Sequence, residues 1–173
     1  MRYFIAMWVV LFFVSCSTVR VNYDYDKATD YSNYSTYNYY PDMETGLTQL
    51  DTKRLLDAID STMQVKGMLL AEEPDFLINV TSSSVRAPRN NSVGVGVGGT
   101  GRNVGGGISI GLPIGQPDLE RIIQFDLVDS QNDELFWQAV SESSFKENLT
   151  PQAREAKLRE VVDKVFSKYP PGS

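Results

Sequence analysis

The chain has no histidine and a single cysteine, Cys16, among its 173 residues. Histidine titrates near neutral pH and is the commonest metal ligand, so its absence excludes Ser-His and Cys-His catalysis and histidine-based zinc sites. A lone cysteine cannot close a disulfide within the chain, so the fold must be stabilised by side-chain packing. We therefore expect no catalytic residues, no cofactor site and no metal site.

Positive charge and long apolar runs are also scarce. Lys and Arg number 16 against 22 Asp and Glu, which gives a formal net charge of −6. This balance argues against binding to nucleic acid and against a polybasic contact with anionic lipid. The apolar run from Phe4 to Val14 is well short of the ~20 residues that a membrane-spanning helix needs, so a transmembrane span is the weaker interpretation.

The first seventeen residues instead have the layout of a bacterial lipoprotein signal. Arg2 supplies an early positive charge, the apolar run follows, and small Ser15 precedes Cys16. We predict that residues 1–15 are a signal peptide that is removed and that Cys16 is lipidated, with palmitate among its acyl chains. Several chains would anchor the protein stably, because each buried methylene contributes ~0.8 kcal/mol and one chain alone is marginal.

The residues after Cys16 indicate the membrane, and the side of it, at which the domain is held. Ser17, rather than an aspartate, follows the cysteine, which by analogy with known lipoprotein sorting signals favours the outer membrane. No acidic run follows such as surface-exported lipoproteins carry, so we expect the domain to face the periplasm, with the cell surface as the alternative. Residues 16–173 are enough for one core and too few for two, so we predict a single envelope domain.

Hydrophobic periodicity predicts most of the secondary structure. The continuous apolar residues 76–78 favour a central strand that is covered on both faces. Thr150 and Pro151 are typical of a helix start, and Gly67 of a helix end. Alternation predicts strands at residues 18–26, 34–40, 119–129 and 134–145, the apolar run predicts a strand at residues 74–82, and 3.6-residue periodicity predicts helices at residues 47–66 and 151–168.

Residues 92–112 hold most of the glycines and predict a flat hairpin, with simple disorder as the alternative. In the hairpin one aliphatic row faces another across a Gly-Thr-Gly-Arg-Asn turn. The two rows are Val93, Val95, Val97 and Ile108, Ile110, Leu112. The segment 96–101 matches G-x-G-x-x-G, but no helix follows it to meet a phosphate, so we expect no nucleotide binding.

Seven of the nine tyrosines lie between residues 23 and 40. Tyr37, Tyr39 and Tyr40, together with Trp137, suggest either a sugar-binding platform or aromatic strand residues that pack against a helix. Their alternating, core-facing positions favour packing. In the 134–145 strand, Leu135, Trp137 and Ala139 are predicted to form the inward row.

Several short segments occur in a characteristic order along the chain. They are Val-Asn-Tyr23-Asp-Tyr-Asp, a helix ending in Lys66-Gly67, Glu73-Pro-Asp75-Phe-Leu, a glycine-rich middle, Glu134-Leu-Phe-Trp137 and a helix closing on Tyr169-Pro-Pro171. In this order they resemble the bacterial lipoprotein family of domain of unknown function 4136, over nearly all of residues 16–173. The resemblance implies a lipid-anchored envelope domain without assigned catalytic residues.

Together these patterns predict an α+β fold: a mostly antiparallel, twisted sheet of about six strands with two helices packed on one face. The functional expectation is a non-catalytic binding or structural module of the cell envelope. Its partners would be the membrane, through the lipid anchor, and an envelope protein, with no nucleic acid and no nucleotide. The alternative is a periplasmic hydrolase or glycan-binding module that uses carboxylates and tyrosines.

Overall fold

The computed structural model describes residues 19–86, 92–94, 111–113 and 119–171. Within those ranges no helix is both long and apolar enough to cross a membrane. The strands are β1 (Arg20–Tyr25), β2 (Thr36–Tyr39), β3 (Leu69–Leu70), β4 (Phe76–Arg86), β5 (Ser92–Gly94), β6 (Gly111–Pro113), β7 (Leu119–Asp129) and β8 (Leu135–Phe145), and the helices are α1 (Gln49–Val65) and α2 (Pro151–Phe166).

Six of the strands form one sheet in the order β1-β8-β7-β4-β2-β3. The pairs β1/β8, β8/β7 and β7/β4 are antiparallel, whereas β2 runs parallel to both β4 and β3. The expectation of an α+β fold is confirmed, but the expectation of a mostly antiparallel sheet is wrong. The sheet is mixed because α1 connects β2 to the strands that flank it, and such a crossover returns the chain in the same direction.

Both helices begin and end where local chemistry favours it. The hydroxyl oxygens of Thr48 and Thr150 accept hydrogen bonds from the N–H groups of Asp51 and Ala153, which caps α1 and α2. Gly67, directly after the last turn of α1, has a φ of +81°, a left-handed conformation that glycine adopts without a side-chain penalty. The predicted cap at Thr150 and the predicted glycine stop are confirmed.

The core lies between one face of the sheet and the two helices. Trp137 is 1% exposed, and its ring stacks on that of Phe166 of α2 at 5.6 Å and 15°. The apolar rows that give the two helices their 3.6-residue periodicity are buried. They are Leu55, Ile59 and Met63 in α1, and Leu158, Val161, Val162, Val165 and Phe166 in α2, followed by Tyr169.

The interior strand β4 is less covered than predicted. It lies between β7 and β2, and its Phe76, Ile78 and Val80 are fully buried beneath the helices. Its other face carries half-buried Leu77 and exposed Thr81. The expectation of cover on both faces is therefore met only in part.

A β-bulge changes the inward row of β8. Leu127 of β7 lies opposite Trp137, but the next residue, Val128, lies opposite Leu135, so Phe136 is an extra residue in the strand. Phe136 and Trp137 are therefore both buried, whereas Leu135 is 52% exposed. The prediction that Leu135 faces inward is wrong, because alternation assumes that no residue is inserted.

The glycine-rich segment is described only at its two ends. Strands β5 and β6 pair antiparallel as a separate two-stranded sheet, with Val93 opposite Leu112. This pairing matches the register predicted for the base of the hairpin at residues 92–112. The rest of the predicted rows and the turn, residues 95–110, lie outside the described residues.

Candidate functional site

The residue predicted to carry the lipid anchor, Cys16, lies outside the described residues. The structure does show where the chain that follows it begins. Strand β1 starts at Arg20, four residues after Cys16, and Arg20 lies opposite Glu142 near the end of β8. Strand β1 therefore begins at the end of the sheet at which β8 finishes.

The tyrosines of β2 pack on α1. The hydroxyls of Tyr37 and Tyr39 donate hydrogen bonds to the same carboxylate oxygen of Asp60, at 2.8 and 2.6 Å. Burial, together with the Asp60 carboxylate, raises the pKa of both tyrosines well above the usual value. Tyr37 is fully buried, so it offers no ring face to a sugar. The interpretation as a packing residue is confirmed for Tyr37, whereas Tyr40 is only half-buried and its hydroxyl donates to Asp133 at 3.0 Å.

A second group of rings adjoins the first through Phe76, whose ring contacts both Tyr37 and Tyr34. Tyr34 stacks on Phe136 at 4.2 Å with the ring planes 2° apart, and its hydroxyl donates to Asp129 at 2.9 Å. Burial, followed by that hydrogen bond, raises the pKa of Tyr34 to about 12. Tyr31 contacts Phe136 and Tyr169 edge to face. These aromatic residues hold loops against the sheet.

The acidic groups do not assemble into a recognisable metal site. In the part of the chain that the structure describes, no three acidic side chains lie close enough together to hold a metal ion. Asp126 on the open face of the sheet is engaged by two amides, which donate to it from Gln124 at 3.0 Å and from Gln138 at 2.7 Å. Asp60 and Asp129 are likewise engaged by tyrosine hydroxyls.

The most unusual polar group in the described core is one carboxylate among three guanidinium groups. Asp51, in the first turn of α1, is 1% exposed. Its carboxylate accepts hydrogen bonds from Arg54 at 2.8 Å and from Arg154 of α2 at 2.9 Å, and Arg121 of β7 approaches to 3.8 Å. We call these four residues, with Phe145, the arginine cluster.

The three arginines are held differently. Arg154 also donates to the carbonyl oxygens of Leu149 and Glu147, so it fastens the loop before α2 as well as Asp51. The guanidinium carbon of Arg121 lies 3.4 Å from the centre of the Phe145 ring, a cation–π contact. Among the described residues, Nε and Nη1 of Arg121 are buried without a hydrogen-bond acceptor.

Electrostatics makes this arrangement costly unless another group compensates it. Three guanidinium groups against one carboxylate leave a net charge of +2 in a mostly buried cluster. Burial lowers the pKa of Arg121, although the nearby Asp51 carboxylate acts in the opposite direction. The first turns of α1 and α2, which carry the positive ends of the helix dipoles, contribute Asp51 and Arg154 to the same cluster. The site is therefore suited to an anion.

The sequence and the fold both relate the chain to known proteins. Residues 21–171 match the model of the family described as Domain of unknown function (DUF4136). The chain belongs to this family. No curated protein sequence matches the chain.

Two solved structures share the fold of this DUF4136 domain at low sequence identity. A PDZ domain protein from Parabacteroides distasonis has a TM-score of 0.59 and 11% identity, over 98% of this chain but only 40% of that protein. The PelC dodecamer from Paraburkholderia phytofirmans has a TM-score of 0.51 and 11% identity, over 87% of this chain and 96% of that one. At this identity the likeness shows the fold alone.

The arginine cluster was not among the predicted sites, although the sequence contains a signal for it. Asp51 lies four residues before Leu55 in the buried row of α1, and Arg154 lies four residues before Leu158 in that of α2. Arg121 lies two residues before Ile123 in the inward row of β7. Each charged residue thus continues an apolar row toward the same end of the DUF4136 domain.

Proposed function

We propose that this DUF4136 domain is a lipid-anchored module of the cell envelope, held at the outer membrane through Cys16 and facing the periplasm. The observation that carries the proposal is the position of Cys16, directly after an N-terminal apolar run and four residues before the first strand of a folded domain. A linker this short keeps the domain within about 14 Å of its anchor.

We further propose that the module binds or scaffolds and does not catalyse. The support is the way in which the acids and aromatic residues are used. Asp60 and Asp129 accept hydrogen bonds from tyrosines, and Asp75 accepts from the N–H groups of Ser35 and Thr36 at 2.9 and 2.8 Å. Carboxylates that perform acid–base chemistry need access to a substrate, and these carboxylates connect parts of the fold.

The partner surface that we favour is either the glycine-rich segment or an open sheet edge. Strand β3, at one end of the sheet order, has only two residues, and both are leucines that are 65% and 58% exposed. Exposed Val65 lies just before them in the chain. An apolar strand edge is an attachment point for a strand of another protein, so an envelope protein is the expected partner.

The anchor is tested by replacing Cys16 with Ser and following the protein by membrane fractionation and by labelling cells with radioactive palmitate. We expect the Cys16→Ser form to lose both the label and the membrane association. The Ser17→Ala form, which keeps the cysteine, serves as the control and should retain both. A Cys16→Ser protein that stays labelled and membrane-bound would refute the lipoprotein proposal.

The partner surface is tested by photo-crosslinking in intact cells. A photoreactive residue is placed at Val93 in the glycine-rich segment, at Leu69 on the β3 edge, or at Lys53, which is exposed on α1. We expect one discrete crosslinked product from Val93 or Leu69 and none from Lys53. The absence of products at both test positions would show that neither surface is the contact.

A further inference from the structure

The arginine cluster has more positive charge than its one carboxylate can balance. Arg54 and Arg154 each bond to Asp51 at hydrogen-bond distance, whereas Arg121 only approaches it to 3.8 Å. A guanidinium group has five N–H donors and cannot lose its charge, so its burial is costly unless an acceptor is present. The contact with Phe145 compensates part of this cost but accepts no hydrogen bond.

The shape of the cluster suits one class of ligand. The three arginine side chains remain 13 to 21% exposed, whereas the Asp51 side chain between them is 1% exposed. Planar guanidinium groups bind tetrahedral phosphate oxygens in pairs of parallel hydrogen bonds. The first turns of two helices of 17 and 16 residues add positive potential at the same place.

We propose that the arginine cluster is a binding site for a phosphate-class oxyanion, formed by Arg54, Arg121 and Arg154. A dianion would neutralise the net charge of +2 next to Arg121, whose Nε and Nη1 have no hydrogen-bond acceptor among the described residues. The overall charge of the chain, −6, conceals this local excess of positive charge.

The position of the cluster favours a membrane source for the phosphate, an argument that rests on the proposed lipid anchor. Arg121 and Phe145 lie at the start of β7 and the end of β8, where Leu119 pairs with Phe145. This is the end of the sheet at which β1 begins, four residues after Cys16. The arginine cluster would therefore face the anchoring bilayer, and the phosphate of a lipid headgroup would be its natural ligand.

The first test measures inorganic phosphate binding to the wild-type full chain, with or without its lipid. Thermal unfolding is followed while phosphate replaces chloride at constant ionic strength. We expect the melting temperature to rise and to saturate with phosphate, because a ligand that binds only the folded state stabilises it. An unchanged melting temperature in phosphate would overturn the proposal.

The second test assigns the binding to the cluster. The Arg121→Met variant keeps an unbranched side chain over Phe145 but removes the charge, and we expect its phosphate affinity to fall about tenfold or more. Arg159→Met removes an equal charge from a half-exposed position of α2 and should bind like the parent. If Arg121→Met does not fold, Arg54→Met serves in its place. Equal affinity in the parent and the cluster variant would overturn the assignment.

The third test separates lipid phosphate from free phosphate. The Cys16→Ser full chain, which has no acyl chain to drive insertion, is sedimented with phosphatidylcholine vesicles that contain or lack phosphatidylglycerol. Vesicle binding that inorganic phosphate inhibits, and that Arg121→Met abolishes, supports the headgroup. Phosphate binding without vesicle binding assigns the site to a free phosphate and overturns the membrane contact. The fate of Cys16→Ser in cells tests the anchor separately, so the two proposals fail independently.

Discussion

Removal of the one carboxylate of the arginine cluster should be among the most damaging single substitutions in the domain. The Asp51→Asn variant keeps the size of the side chain but loses the charge that faces Arg54, Arg154 and Arg121 at 2.8, 2.9 and 3.8 Å. Breaking a buried ion pair costs about 3 to 5 kcal/mol, because the partner charges remain buried without compensation. For a domain of this length that loss lowers the melting temperature by roughly 6 to 20 °C.

The loss is measured by urea unfolding, followed by tryptophan fluorescence, with the slope m checked for constancy. Asp57→Asn is the matched control, because Asp57 is an exposed aspartate on the same helix and should change the free energy of unfolding by less than about 0.5 kcal/mol. If Asp51→Asn unfolds at the same urea concentration as the parent, the guanidinium groups are screened by water, and the argument from burial is refuted.

Three further predictions follow from the described contacts. Trp137→Ala should cost about 3 to 5 kcal/mol by urea unfolding, and Trp137→Phe much less, because the buried indole N–H has no acceptor among the described residues. Hydrogen bonds from the N–H groups of Ser35 and Thr36 lower the pKa of Asp75 from its usual value of 3.8. The ionised Asp75 carboxylate therefore stabilises the folded domain above that pH, and this contribution is lost as the pH falls through the lower pKa of the folded state. The gap in stability between the parent and Asp75→Asn should therefore close in acid. Replacing residues 92–112 by a short Gly-Ser turn should leave thermal unfolding nearly unchanged, because β5 and β6 pair outside the six-stranded sheet.

Elements whose determinants are local in the chain could be predicted from the sequence. The start of α2 needs only Thr150 and Pro151, and the end of α1 needs only Gly67, so these boundaries follow from neighbouring residues. Strand β7 was predicted with its full bounds, 119–129, because its alternation is uninterrupted.

Features that depend on distant partners could not be predicted in the same way. Alternation tells which residues of β2 face the core, but the direction of the neighbouring strand leaves no trace in the sequence of β2, so its parallel pairing was missed. Strand β3 has only two residues, both exposed, and thus no pattern at all. The bulge at Phe136 likewise can be recognised only from the pairing of β8 with β7.

The arginine cluster lies between these two cases. Each buried row can be traced in the sequence to a charged residue, since Asp51, Arg154 and Arg121 stand where the periodicity calls for an apolar side chain. A charge in such a position must find a partner, because an uncompensated buried charge would cost more than the domain can lose. The sequence therefore indicates that these residues need partners, but it does not indicate which partners they find. Only the fold shows that three arginines share one aspartate, and this excess of positive charge is what makes the cluster a candidate anion site.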